Sequence, residues 1–124
     1  MVEMAYFSKV DGRSICEWYL THKNDLEMMR RCADAELARV RNPKTKKDER
    51  FAAPGYFKRV AILSRKQGDY DQEVKYCQLY LDTLEAYNKA MGFSGGDRLT
   101  KEFEQRIRKA QELIAKEGTK EGPS

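Results

Sequence analysis

Residues 55–87 read GYFKRVAILSRKQGDYDQEVKYCQLYLDTLEAY, and the spacing of their apolar side chains decides the fold. Phe57, Val60, Ala61 and Leu63 mark one face of a helix, and Pro54 stands where a first-turn proline belongs. Gly68 ends that helix as a left-handed cap. Asp69 caps a second helix, with Gln72 at the capping-box position three residues on. Tyr70, Val74, Cys77, Leu81, Leu84 and Met91 then recur at helical spacing for about six turns, up to Gly92. The stretch predicts two helices packed back to back and hinged at Gly68.

The same signals extend outward in both directions. SICE at 14–17 reads as a capping box on Ser14 and Glu17, opening a short helix from Ile15 to about Leu20 that carries Trp18 and Tyr19. NDLE at 24–27 repeats the device, with Asn24 as cap. Leu26, Met29, Ala33, Leu37 and Val40 form the stripe of a helix ending near Arg41, and Met28, Cys32 and Ala35 widen it. Pro43 and the charge cluster of NPKTKKDER at 42–50 predict an exposed, mobile loop. FSGGD at 93–97 reads as a flexible linker. It precedes a helix start, where anions can bind, but lacks the Lys-Ser/Thr of a phosphate loop. Leu99, Phe103, Ile107, Ala110 and Ile114 mark a last helix over 97–117, closed by Gly118. Residues 1–12 have no clear period, although AYF at 5–7 suits a short strand or extended segment. The expected fold is all-α: a small antiparallel bundle of four to five helices, one domain over 1–118, with a disordered polar tail at 119–124.

The turn GDYDQE between two amphipathic helices is similar to the helix–turn–helix unit of tetratricopeptide repeats. Phe57, Val60, Ala61, Gly68 and Tyr70 fall at the spacings of that unit's large, aliphatic, small and turn residues. The phrase YFKRVAILSRKQGDYDQEVKYC also resembles short segments of small, uncharacterised bacterial and phage-like proteins. The repeat-like part covers residues 54 to about 85 and occurs once, with no second copy at a period near 34 residues. Glu73 stands where the repeat has a small residue, and Glu85 stands near the place of its closing proline. The resemblance implies recognition of a protein or peptide and no catalysis.

Bulk composition narrows the function classes. The chain has 124 residues, 40% hydrophobic and 35% charged, a balance that suits one-sided helices around a small core. No run approaches the roughly 18–20 apolar residues of a membrane-spanning helix. MVEMAYFSKVDGR lacks the basic-then-apolar pattern of a secretory signal, so the cytoplasm is expected. Cys16, Cys32 and Cys77 are odd in number and widely spaced, which argues for reduced thiols and against disulfides or a zinc site. The net charge of +4 is mild for a dedicated nucleic-acid binder.

Catalytic candidates are few. His22 is the single histidine; it has no patterned partner and reads as an exposed or capping residue. Glu36, Glu73, Asp82 and Glu85 sit among arginines and lysines at helical spacing, as on a solvated face. Glu73 is the exception: the resemblance turns it toward the packed side, where it needs a cation, Arg59 or Lys58 being nearest along the chain. No GxGxxG, HExxH or CxxC occurs. The reading is therefore of a non-enzyme with no cofactor and no metal.

Two binding readings remain. Tyr76, Tyr80 and Tyr87 form a second ridge on the long helix beside Leu79, either as intrachain core or as a surface for a partner or a second copy. As a partner surface the ridge supplies anchors, with Arg59, Lys66 and Lys75 as a polar rim. The expected function is then a small helical adaptor that binds a protein or peptide, open to homodimer formation. The alternative is nucleic-acid binding through the basic segment Arg39, Arg41, Lys44, Lys46, Lys47 and Arg50. Asp34, Glu36, Asp48 and Glu49 interleave with that segment and weaken its field, which makes nucleic acid the second choice.

Overall fold

A computed structural model describes residues 8–93 and 98–120. A two-residue hairpin comes first: β1 (Lys9–Val10) pairs antiparallel with β2 (Arg13–Ser14), Val10 opposite Arg13. Its turn is Asp11-Gly12, both at positive φ (51° and 78°), the dipeptide that tight primed hairpin turns favour. Five helices follow among the described residues: α1 (Ile15–His22), α2 (Leu26–Arg41), α3 (Pro54–Lys66), α4 (Tyr70–Met91) and α5 (Arg98–Lys120), with a 3-10 turn at Lys47–Glu49. The architecture is the small all-α bundle that the apolar spacing predicts.

Local chemistry explains most of the helix ends. Ser14 accepts from the Cys16 amide at 3.2 Å, while Glu17 pairs with Arg13 instead of closing a capping box. The cap of α2 is Asp25, which accepts from the Met28 amide at 3.1 Å. Asn24 is freed from the expected capping role and accepts from Arg59 at 2.5 Å. Pro54 occupies the first turn of α3, and Gly68 (φ 76°) carries the chain into the turn that only a residue without a side chain adopts cheaply. Asp69 caps α4 by accepting from the Gln72 amide at 3.1 Å. The last helix runs on to Lys120, past Gly118, so the expected stop at that glycine does not occur. The AYF segment, residues 94–97 of the glycine-rich linker and residues 121–124 of the expected tail lie outside the described residues.

Each of the four longer helices runs antiparallel to its chain neighbour. Glu36 meets Ala53 while Arg59 meets Asn24; Phe57 meets Tyr80 while Arg65 meets Glu73; and Tyr80 meets Phe103 while Glu73 meets Arg106. Across this row α4 also reaches α2, where Tyr76 Oη donates to Asp34 at 2.9 Å and Arg30 to Gln72 at 3.0 Å. The core is centred on three rings, one from each of α3, α4 and α5. The Phe57 and Tyr80 centroids are 5.2 Å apart, and Tyr80 stacks on Phe103 at 4.6 Å and 28°. Fully enclosed Met29, Cys32, Val60, Ala61 and Cys77 fill the space around them, interior packing worth about 2–5 kcal/mol per large side chain removed.

Candidate functional site

Two of the three ridge tyrosines belong to this core. Tyr80 is fully enclosed and donates its hydroxyl to the Ala52 carbonyl at 3.0 Å; Tyr76 is 4% exposed. A buried tyrosine needs a partner for its hydroxyl, and both rings have one within the chain, so neither is free to anchor a partner. Burial, then the bond to Asp34, pushes the Tyr76 hydroxyl well above its ordinary range. Leu79 is half-buried against the core. The buried face of α4 is Glu73, Tyr76, Cys77, Tyr80, Thr83 and Leu84, rotated from the expected stripe so that Tyr70, Val74 and Leu81 lie at its edge.

The expected polar rim does not surround Tyr87. Arg59 is spent on the α1–α2 turn, donating to the Lys23 carbonyl at 2.9 Å as well as to Asn24. Lys75 is exposed with its ammonium 5.7 Å from the Tyr76 ring centre, and Lys66 is exposed at the end of α3. On α4, Lys75 and Tyr87 stand about 18 Å apart along the axis.

The segment between α2 and α3 is fastened down, contrary to the expectation of a mobile loop. Glu36, expected on a solvated face, is 2% exposed. Its carboxylate accepts from Ser8 Oγ at 2.8 Å, from Arg39 at 2.9 and 3.1 Å, and from the Ala53 amide at 2.8 Å. Arg39 also donates to the carbonyls of Glu49 and Phe51. Arg50 folds back onto the carbonyls of Thr45, Asn42 and Pro43. Both arginines are therefore structural staples, whereas Arg41, Lys44, Lys46 and Lys47 remain exposed.

What the fastened segment presents is an aromatic cluster. Phe51 meets Tyr87 edge to face, centroids 5.3 Å apart at 68°, and Phe93 meets the other side of Tyr87 at 6.0 Å and 58°. Gly92 closes α4 in the left-handed conformation, and the Phe93 amide returns to the Asn88 carbonyl at 2.8 Å, which brings the Phe93 ring back onto the helix. Phe51 is 41% and Phe93 55% exposed. Beside Tyr87 a cavity of about 290 Å³ opens between the end of α2, the basic segment and α4. Val40, Ala86 and Ala90 line it with apolar groups, Arg41, Lys47 and Arg50 from the segment side with cations, and Asp82 and Thr83 from α4 with oxygens. The surviving tyrosine of the ridge thus meets the basic segment of the alternative reading at one place. No family model, curated protein or solved structure matches this chain. The surface has to be read from its own chemistry.

Other candidate chemistry resolves into structure. Glu73 is buried as expected, but its cations are Arg65 and Arg106, from the helices on either side. Lys58 pairs with Glu102 at 2.6 Å. Arg65 Nε donates to Glu73 Oε1 at 2.9 Å, whereas its buried Nη2 lies 2.9 Å from Oε2 without hydrogen-bond alignment and contributes charge only. His22 sits edge-on to Trp18 at 5.0 Å and bonds its neighbour Thr21 at 2.7 Å. Burial pushes the Cys32 thiol up to about 11 and that of Cys77 to about 12, which removes both as nucleophiles; Cys16 is exposed and free. Among the described residues no cluster of His, Cys, Asp and Glu could hold a metal ion, and no helix is long and apolar enough to cross a membrane.

Proposed function

We propose that this chain is a non-catalytic helical interaction module, a small adaptor that binds a protein or peptide at the open end of α4. The observation that carries the reading is the placing of Phe51 and Phe93. Both are large apolar side chains left exposed, and both pack on Tyr87. Scattered apolar residues on a surface mean little, but a contiguous aromatic patch with a charged border has the composition of a binding hot spot. The repeat-like arrangement of α3 and α4 around Gly68 fits the same role, as does the absence of a paired nucleophile and base among the described residues. We place the protein in the cytoplasm, where its three free cysteines would stay reduced.

The test is affinity capture with the full chain against the double variant Phe51→Ser/Phe93→Ser, followed by titration of the captured protein in purified form. A partner held by the wild type and released at least tenfold more readily by the variant supports the reading. Equal binding by the two proteins overturns it. Light scattering on both tells whether the partner is a second copy of the chain. The second reading, nucleic acid, is favoured by one feature: exposed Arg41 and Lys47 line the cavity beside Tyr87, and exposed Lys44 and Lys46 belong to the same segment. Binding of a single-stranded oligonucleotide that weakens steeply with salt supports it, and no binding at low salt dismisses it.

A further inference from the structure

The cavity beside Tyr87 has the size and polarity to say what kind of partner the surface takes. We infer that it receives one apolar side chain of an acidic peptide segment, whose carboxylates lie along Arg41 and Lys47. This inference rests on the adaptor reading above and specifies its ligand. At about 290 Å³ the cavity sits at the small end of the ~300–1,000 Å³ of sites that hold whole small molecules. It suits a single inserted side chain. Val40, Ala86 and Ala90 offer such a group dispersion contacts, and the hydroxyl of Thr83, the remaining neutral lining group beside Tyr87, is already donated to the Tyr80 carbonyl. Tyr87 forms one wall and continues into the exposed rings of Phe51 and Phe93, which extend the apolar contact beyond the cavity.

Charge selects the flanking residues. Five cations and two carboxylates lie between Arg41 and Arg50, so the segment side of the cavity is positive. The α4 side carries Asp82, bonded to Gln78 at 3.0 Å. A peptide can place its acidic residues on one side of its anchor and avoid Asp82. A nucleic-acid strand carries a phosphate at every step and cannot. Of the segment's three arginines, the type best shaped to hold phosphates, Arg39 and Arg50 are spent on Glu36 and on backbone carbonyls, which leaves Arg41 alone.

Peptide display on the full immobilised chain tests this, with single-stranded DNA as a separate arm. Selected peptides should share an apolar residue flanked by Asp or Glu. Their affinity should fall about tenfold or more against Ala90→Phe, which fills the cavity from an exposed position, and against Arg41→Glu/Lys47→Glu. Thermal melts of both variants matching the wild type establish that the fold is intact. A neutral or basic consensus, selected peptides indifferent to Ala90→Phe, or DNA binding with no peptide selected would each overturn the inference. If display yields nothing acidic while a captured partner is still lost with Phe51→Ser/Phe93→Ser, the adaptor reading stands and only this specification fails.

Discussion

The two ends of α4 use the same residue types to opposite ends. In its first half Tyr76 and Tyr80 are enclosed, with Glu73 and Cys77 beside them; from Leu81 to Met91 only Thr83 and Leu84 are buried, and Tyr87 is half-buried. Helix length accounts for the difference. The contact of Phe57 with Tyr80, in antiparallel pairing, sets Pro54 level with about residue 83 of α4. Beyond that level α3 has ended and α4 continues for about 12 Å without it. The 42–53 segment covers part of the gap, and its short reach leaves the cavity and the aromatic cluster. A tyrosine is core or surface here according to which helix stands opposite, not according to its own helix's periodicity.

The largest effect that separates the two ends should come from Tyr80→Ala. It removes a fully enclosed ring that packs between Phe57 and Phe103, and the cost should be about 4 kcal/mol, read as a fall in the urea midpoint. A loss under about 1 kcal/mol would mean that the core is not organised on this ring. Glu73→Ala should come next, at about 3 kcal/mol, because it strands the guanidiniums of Arg65 and Arg106 without a carboxylate. Glu73→Gln should lie between the variant and the wild type. Thiol labelling sharpens the same contrast without mutation. In the native protein at pH 8 Cys16 should react alone, because Cys77 combines full burial with a thiol pushed up to about 12. Prompt reaction of a second thiol would show that the enclosed end opens.

Much of the fold was legible because it is written in local rules. Pro54, Gly68, Asp69 and Gly92 set the bounds of α3 and α4 through backbone geometry and capping, which depend on a few neighbouring residues. The rotation of α4 was less legible, since a tyrosine suits core and surface alike and the deciding partners, Ala52 and Asp34, lie 28 and 42 positions away. Glu73 could be flagged as buried, but not matched to Arg106, 33 positions on. Glu36 reads as solvated because i, i+3 pairing with Arg39 looks the same on a solvated face and under a covering segment. Phe51 and Phe93 carry no periodic signal, for periodicity is silent about residues outside helices. The available signal was compositional: a lone aromatic in DERFAAP and another after the Gly92 cap, each in a stretch otherwise polar or small.

The smallest effect on stability belongs to the open end and bears most directly on function. Phe51→Ser/Phe93→Ser removes two rings that are already 41% and 55% exposed. Their edge-to-face and tilted contacts with Tyr87 are worth about 1 kcal/mol each to the fold. The backbone that carries Phe51 is held by Arg39 through the Phe51 carbonyl, and Phe93 is held by its amide on Asn88. Neither bond involves the phenyl ring, so the variant should keep the segment in place. Its melting shift should be about half that of Tyr80→Ala or less. A destabilisation as large as that of Tyr80→Ala would mean that the rings complete the core, and the cluster would then have no surplus area to give a partner. A modest melting shift together with lost binding would instead separate what α4 does for the fold in its first half from what it offers in its second.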